Sequence, residues 1–139
     1  MMKKLDAYLF FDGNCREAMN FYKDTFGGEL NLMTIGESPA KNQFPESMAD
    51  TVLHAGLIIG NITIMASDNC MGGDLPKGKD VSLHLSCEST EEVNLLFDKL
   101  SAGGQPLMPP KEEFWGDYFC SVTDKYGFNW MLTFSAQKQ

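Results

Sequence analysis

The pattern of apolar and polar positions predicts an amphipathic helix near the start of the chain. Asn14 and Glu17 have the spacing of a capping box, in which both side chains satisfy backbone N–H groups at a helix start. Apolar residues then recur at helical spacing until Gly27-Gly28, where glycine favours a helix end. The apolar stripe consists of Ala18, Phe21, Tyr22 and Phe26. A strand is predicted before this helix, over residues 5–11.

The same order of signals recurs in the second half of the chain. Ser89 and Glu92 repeat the capping box, and Gly103-Gly104 ends a second helical stripe. That stripe consists of Val93, Leu96, Phe97 and Leu100, and a strand over residues 81–87 precedes it. Because the two helices align without a gap, the sequence predicts an internal repeat.

The final strands of the two halves also align, at a shorter offset. Residues 61–65 match residues 127–131, so the first half contains about ten extra residues, which we assign to a loop over 36–50. Strand alternation places Thr63 with Met65 on one face of the first strand, and Asn129 with Met131 on the corresponding face of the second.

A helix followed by several strands, occurring twice, excludes a doubly wound parallel sheet, which needs a crossover helix between most strands. We therefore expect a single α+β domain over residues 1–139, built from two βαβββ modules at about 1–68 and 80–135. The modules would form a curved mixed sheet with helices outside and an open inner trough. Clefts of this kind usually bind small ligands.

Composition narrows the possible partners and the compartment. The formal net charge is -8, which disfavours nucleic acids and anionic membranes, and no apolar run has the length of a membrane-spanning helix. The start of the chain lacks the apolar region of a signal peptide. Four cysteines without close pairing suggest reduced thiols, with neither a zinc site nor a disulfide framework. We expect a soluble, cytoplasmic protein.

Several motifs resemble the PhnB-like branch of the vicinal oxygen chelate superfamily, which includes glyoxalases, bleomycin-resistance proteins and dioxygenases. The motifs lie at residues 8–18 with Phe21-Tyr22, at His54-Ala55, at residues 64–68, at residues 114–117 and at residues 122–131. The resemblance implies a glyoxalase-like fold and a homodimer. The sequence leaves open whether modules pair within one chain or across the dimer.

The resemblance also implies four positions at which superfamily enzymes hold a divalent metal. These positions fall at or beside Tyr8, Met65, His84 and Met131. Only His84 is a usual ligand, whereas hard or borderline divalent metals prefer several histidine or carboxylate groups. Two thioethers and a phenol would suit at best soft Cu(I). We therefore predict no metal and no cofactor.

Candidate chemistry centres on His84, because histidine is the side chain that most often acts as a general base near neutral pH, although a half-buried structural histidine is the alternative. A proline-rich loop is predicted over residues 106–110. Phe114, Trp115 and Phe119 follow it and either form a lip over a ligand or pack against a partner subunit or an edge strand. A structural role is favoured for His54, which aligns with Cys120 when the final strands of the two halves are matched. Cys120 and Cys15 are possible nucleophiles or inert buried thiols. The predicted ligand-binding residues are Tyr8, Thr63, Met65, Ser82, His84, Phe114, Trp115, Asn129 and Met131.

The sequence thus favours a small-molecule binding protein or metal-independent enzyme. A metal-dependent lyase, isomerase or dioxygenase is one alternative, and a non-catalytic sequestering protein is another. A methyltransferase is disfavoured because no glycine-rich nucleotide loop follows a strand.

Overall fold

Each half of the chain folds as a strand, a helix and three further strands. The computed structural model describes residues 2–136, and the chain divides into two units, Met1–Pro76 and Lys77–Gln139. No helix within residues 2–136 is long and apolar enough to cross a bilayer. The prediction of an α+β fold made of two βαβββ halves is confirmed.

The first unit contains one helix and a four-stranded mixed sheet. Its elements are β1 (Ala7–Phe11), α1 (Cys15–Phe26), β2 (Glu29–Thr34), β3 (Val52–Ile59) and β4 (Ile62–Asp68). The strand order is β1-β4-β3-β2, with β1 parallel to β4 and the other pairs antiparallel. Helix α1 covers one face of this sheet. The buried residues there include Leu9, Met19, Tyr22, Leu57 and Ile64.

The second unit repeats this arrangement. Its elements are β5 (Leu83–Ser86), α2 (Thr90–Ser101), β6 (Gln105–Glu112), β7 (Tyr118–Thr123) and β8 (Asn129–Phe134). The strand order is β5-β8-β7-β6, with β5 parallel to β8. Helix α2 packs on β7, β6 and β8, and the core includes Val93, Leu96, Leu100, Val122, Trp130 and Leu132. In each unit the face opposite the helix is an open sheet face.

The two helix starts are stabilised differently. Ser89 accepts a hydrogen bond from the backbone N–H of Glu92 at 3.0 Å, as the capping pattern predicts. Asn14 is the N-cap residue of α1, as predicted, but its side chain makes no cap bond, so that part of the predicted capping box is wrong. Instead the buried carboxylate of Asp68, at the end of β4, accepts from Cys15 N at 2.9 Å and from Val52 N at 3.0 Å.

The connections between the strands differ in length. Residues 35–51 join β2 to β3 and include the 3-10 turns Lys41–Gln43 and Glu46–Met48, in the region assigned to the longer loop. Residues 106–110, expected to be a proline-rich loop, belong instead to β6. Strand β6 is an edge strand with two register shifts against β7, and an edge position tolerates prolines because it leaves one row of backbone groups unpaired.

Candidate ligand-binding cavity

The open face of the second sheet bears a cavity of about 210 Å³. Strands β7 and β8 supply most of its floor, β6 supplies one wall, and the segment that precedes β5 supplies another. Its lining residues are Lys79, Ser82, Leu107, Phe119, Ser121, Asn129, Trp130 and Met131. All of these residues belong to the second unit.

Strand alternation explains the arrangement of the floor. Ser121 pairs with Met131 across β7 and β8, and both side chains point away from α2. Trp130 lies between two cavity residues of β8, is only 1% exposed, and faces the helix side. Its Nε1 donates to Asp124 Oδ2 at 2.8 Å, which fixes this part of β8.

Asn129 holds the wall segment in place. Its Nδ2 donates to the carbonyl oxygens of Gly78 and Val81, both at 2.9 Å. Its Oδ1 accepts a hydrogen bond from Thr123 Oγ1 at 2.9 Å. Both N–H bonds of the amide are thus used to attach residues 78–81 to the sheet, and Lys79 lies between the two attachment points.

Three polar groups of the lining have no protein partner in the part of the chain that the structure describes. Among residues 2–136, the ammonium of Lys79 and the hydroxyls of Ser82 and Ser121 make no hydrogen bond or ion pair to a side chain. Lys79 and Ser82 are exposed and Ser121 is half-buried. The cavity therefore combines apolar walls with three available hydrogen-bond donors.

The structure places three of the predicted ligand-binding residues, Ser82, Asn129 and Met131, in this cavity. His84 is opposite Met131 across β5 and β8 but is not part of the lining. It is exposed, and its Nε2 lies 2.9 Å from Thr133 Oγ1. A catalytic role for His84 stays a prediction.

Three further predicted residues lie together on the open face of the first sheet. Tyr8 is opposite Met65 across β1 and β4, and Thr63 Oγ1 accepts a hydrogen bond from Lys4 Nζ at 3.3 Å. Tyr8 is 39% exposed, with its ring centroid 5.0 Å from that of Phe10. The pairing of Tyr8 with Met65 has the same register as that of His84 with Met131.

His54 lies on this open face as well. Its ring is 6.1 Å from the ring of Tyr8, and its side chain is exposed. The predicted correspondence of His54 with Cys120 is wrong by one residue. Gly56 pairs with Met65 as Ser121 pairs with Met131, so Phe119 occupies in the second sheet the position that His54 occupies in the first.

Phe114 and Trp115 lie in the turn between β6 and β7, outside the cavity lining. Phe114 is 96% exposed, and its ring is 4.9 Å from that of Trp115. Trp115 is in turn 6.0 Å from the ring of Phe119, which does line the cavity. Trp115 therefore packs beside a lining residue without lining the cavity, and Phe114 packs beside Trp115.

The cysteines do not have the features of nucleophiles. Cys15 and Cys120 are fully buried, and burial raises the pKa of each thiol to about 12. Burial also raises the pKa of Cys87 to about 11. A reactive cysteine needs the opposite shift, because the thiolate is the nucleophile.

The residues present do not fit a divalent metal within either unit. Residues 2–136 contain no group of three or more His, Cys, Asp or Glu side chains arranged to hold a metal ion. The sheet positions that the resemblance assigns to a metal provide a phenol, an imidazole and two thioethers. Hard and borderline divalent ions prefer carboxylates and several imidazoles instead.

The sequence analysis named Phe119 as one of three aromatic residues that could cover a ligand, but it did not select Lys79, Leu107, Ser121 or Trp130. Alternation along β7 would have placed Phe119 and Ser121 on one face once that strand was recognised. No local pattern indicated Lys79, because its position depends on the hydrogen bonds of the distant Asn129.

Comparison with known proteins identifies close relatives along nearly the whole chain. Residues 3–133 match the family described as 3-demethylubiquinone-9 3-methyltransferase. Protein YjdN of Escherichia coli K12 is 35% identical over 150 residues, which cover 96% of this chain and 97% of YjdN. The crystal structure of protein PA1353 from Pseudomonas aeruginosa has 36% identity and a TM-score of 0.84, and the match covers 96% and 98% of the two chains.

Further solved structures share the fold. A Bacillus cereus structure described as a putative 3-demethylubiquinone-9 3-methyltransferase, PhnB protein, is 29% identical with a TM-score of 0.75, and the match covers 96% of this chain and 100% of that one. The fosfomycin resistance protein FosX of Listeria monocytogenes has a TM-score of 0.67 at 14% identity, which shows likeness of fold alone. The chain therefore belongs to the PhnB-like family and has the fold of the glyoxalase, bleomycin-resistance and dioxygenase superfamily.

Proposed function

We propose that the protein binds a small molecule in the cavity of its second unit, without a divalent metal. The observation that carries this proposal is the lining of the cavity, in which apolar walls surround three donors that have no protein partner within residues 2–136. Ligand sites typically have this composition, since apolar contacts supply affinity and a few polar groups fix orientation.

The size of the cavity restricts the ligand. A buried apolar cavity of about 150 Å³ is sufficient for benzene. The volume here is about 210 Å³, and the cavity is partly open. These dimensions support a ligand with one ring or a similarly small apolar body, together with one polar substituent.

Metal independence is supported by the available donor atoms. Met65 and Met131 lie at or beside two positions that the resemblance assigns to a metal, and a thioether is a poor ligand for Mg²⁺, Mn²⁺ or Zn²⁺. Each open sheet face carries one histidine, His54 or His84, and neither belongs to a group of three donors within residues 2–136.

Methyl transfer, which the family description names, is not part of this proposal. Nucleotide-type cofactors generally bind at a glycine-rich turn between a strand and a helix. Here the turn from β1 to α1 is Asp12-Gly13-Asn14, and the turn from β5 to α2 is Cys87-Glu88-Ser89. The second turn contains no glycine, and the first contains only one.

A pair of matched variants tests the location of the site. Ser121→Leu places a larger side chain in the cavity, whereas Ser86→Leu makes the same change on β5, outside the lining. Small aromatic fragments should stabilise the wild-type protein by about 2.7 kcal/mol at 100 times their Kd. Thermal shift should show this stabilisation in Ser86→Leu and not in Ser121→Leu. Equal stabilisation of both variants would contradict the proposed location.

Metal independence has its own test. Purified protein treated with a chelator should bind the same fragments with unchanged affinity. Addition of Zn²⁺, Ni²⁺, Mn²⁺ or Fe²⁺ should change the melting temperature little. A large stabilisation by one of these ions that a chelator reverses would refute metal independence.

The homodimer and the cytoplasmic location stay predictions. Light scattering coupled to size exclusion measures the first, and fractionation of the source cells measures the second.

A further inference from the structure

We infer that the ligand of this cavity is a small organic carboxylate, whose anionic group contacts Lys79 and the hydroxyls of Ser82 and Ser121. This inference rests on the proposed function, because it identifies the chemical class of the ligand for the same cavity. It comes from the charge and hydrogen-bonding capacity of the lining residues.

Two lysines in one segment have different surroundings. Lys77 Nζ lies 4.0 Å from the centroid of the Phe128 ring, and the Asp124 carboxylate acts on its charge as well. Lys79, two residues later, has neither an aromatic nor a carboxylate partner within residues 2–136. The ammonium of Lys77 is therefore engaged by the protein, whereas that of Lys79 is available to a ligand.

The backbone around Lys79 is fixed on both sides. The two bonds from Asn129 Nδ2, to Gly78 O and Val81 O, hold the residues that flank Lys79. A donor on a fixed segment loses less conformational freedom on binding than one on a free loop. Asn129 is thus a positioning residue for the cation, in addition to lining the cavity.

The charge of the lining residues favours an anionic ligand. The protein has a formal net charge of -8, yet none of the cavity's lining residues is acidic and one is a lysine. The neighbouring Asp80 directs Oδ1 toward Gly78, 3.0 Å from where a Cβ on that glycine would lie, and makes no ion pair with Lys79. The only formal charge of the lining is therefore positive.

The number of donors favours a carboxylate over a phosphate. One ammonium balances one negative charge, and two neutral hydroxyls can donate to the oxygens of a carboxylate. A phosphate ester close to neutral pH carries between one and two negative charges and would be left partly uncompensated. The apolar walls, Leu107, Phe119 and Met131, contact the body of the ligand.

Calorimetry with three probes of similar size tests the inference. Benzoate carries the carboxylate, benzyl alcohol is neutral, and phenyl phosphate carries the larger charge. We expect wild-type protein to bind benzoate roughly tenfold more tightly than benzyl alcohol, in line with a hydrogen-bonded charge pair. Lys79→Gln should remove that preference, and Lys79→Arg should retain most of it.

The control variant is Lys99→Gln, which makes the same change in net charge on the exposed surface of α2 and should preserve the preference. Lys79 is exposed, so its variants should fold, and thermal unfolding checks this. With ¹³C-labelled methionine methyl groups, benzoate should shift the Met131 signal, assigned through Met131→Leu. It should leave the Met65 signal, from the equivalent position of the first sheet, unchanged.

Each outcome separates the inference from the proposal on which it rests. Equal binding of benzoate and benzyl alcohol, unaffected by Lys79→Gln, would overturn the carboxylate assignment and leave the proposed cavity intact. Tighter binding of phenyl phosphate that depends on Lys79 would also overturn it, in favour of a phosphate. Absence of binding by all three probes, with no Met131 shift, would refute both.

Discussion

The carboxylate of Asp124 connects the turn between β7 and β8 to the buried Trp130, and its removal should strongly destabilise the protein. Asp124 is 2% exposed at the start of the turn between β7 and β8. Its Oδ1 accepts from Tyr126 N at 2.9 Å and Phe128 N at 3.1 Å, and its Oδ2 accepts from Trp130 Nε1 at 2.8 Å. Asp124→Ala leaves three donors without these acceptors.

The magnitude follows from the surroundings of each donor. The indole N–H of Trp130 is buried, since the residue is 1% exposed, so its lost partner should cost about 2 kcal/mol. The two turn amides are part-buried and can recover bonds to water, which reduces their cost to about 0.5–1 kcal/mol each. The sum is about 3–4 kcal/mol, a large part of the 5–15 kcal/mol typical of a domain.

Urea unfolding followed by circular dichroism measures this loss, with an unchanged m-value as the check on the folded state. Asp124→Asn should cost less, because its carbonyl oxygen can still accept from the turn amides while its NH₂ cannot accept from the indole. The control is Asp98→Ala, which removes an exposed carboxylate from α2 and should change stability by less than about 0.5 kcal/mol. A loss below about 1 kcal/mol in Asp124→Ala would refute the reasoning.

Three further predictions concern a helix cap, a close backbone approach and a thiol. Ser89→Ala should lower the free energy of unfolding by about 1 kcal/mol because it removes a side-chain cap bond. Asn14→Ala should cost clearly less, since the Asn14 side chain makes no cap bond. Equal losses of stability in urea unfolding would contradict this prediction. Gly28→Ala should destabilise the protein by about 2 kcal/mol more than Gly27→Ala. Both glycines have positive φ, but only at Gly28 would an added Cβ meet a backbone oxygen, at 2.5 Å. Melting temperatures measure the difference, and equal values for the two variants would contradict this reasoning. Burial raises the pKa of Cys120 from 9.0 to about 12, so the folded state favours the neutral thiol. The contribution of this thiol to stability should therefore be fully present below pH 9 and should be lost as the pH rises toward 12. Alkylation by iodoacetamide at pH 8 should therefore modify Cys120 only as fast as the protein unfolds, and rapid labelling of the folded protein would show that the thiol is accessible.

Much of the fold could be predicted from local sequence signals. The stripe of α2 and the cap at Ser89 agree with the structure because a helix start and an apolar face depend on residues three or four positions apart. Alternation in β4 and β8 correctly separated Met65 and Met131 from the buried residues beside them.

The predictions that failed depend on contacts between distant residues. At α1 the capping box has the right spacing, yet the helix start is bound by Asp68, which lies on β4. Residues 106–110 were expected to form a loop because prolines disfavour strands, but an edge position next to β7 accommodates them. His54 was aligned one residue away from its counterpart, because strand register is fixed by pairing and not by constant spacing along the chain.

The sequence by itself determined the two βαβββ halves and the residues of β4 and β8 that face away from each helix, because these follow from short-range periodicity. Only the tertiary structure decided that Ser82, Asn129 and Met131 share a cavity with Lys79 and Phe119, while Tyr8, Thr63 and Met65 lie on the other sheet. The physical reason is that Lys79 reaches the cavity through hydrogen bonds from Asn129, 50 positions later in the sequence, to the backbone on either side of it. A contact of that kind leaves no periodic pattern in the amino-acid sequence.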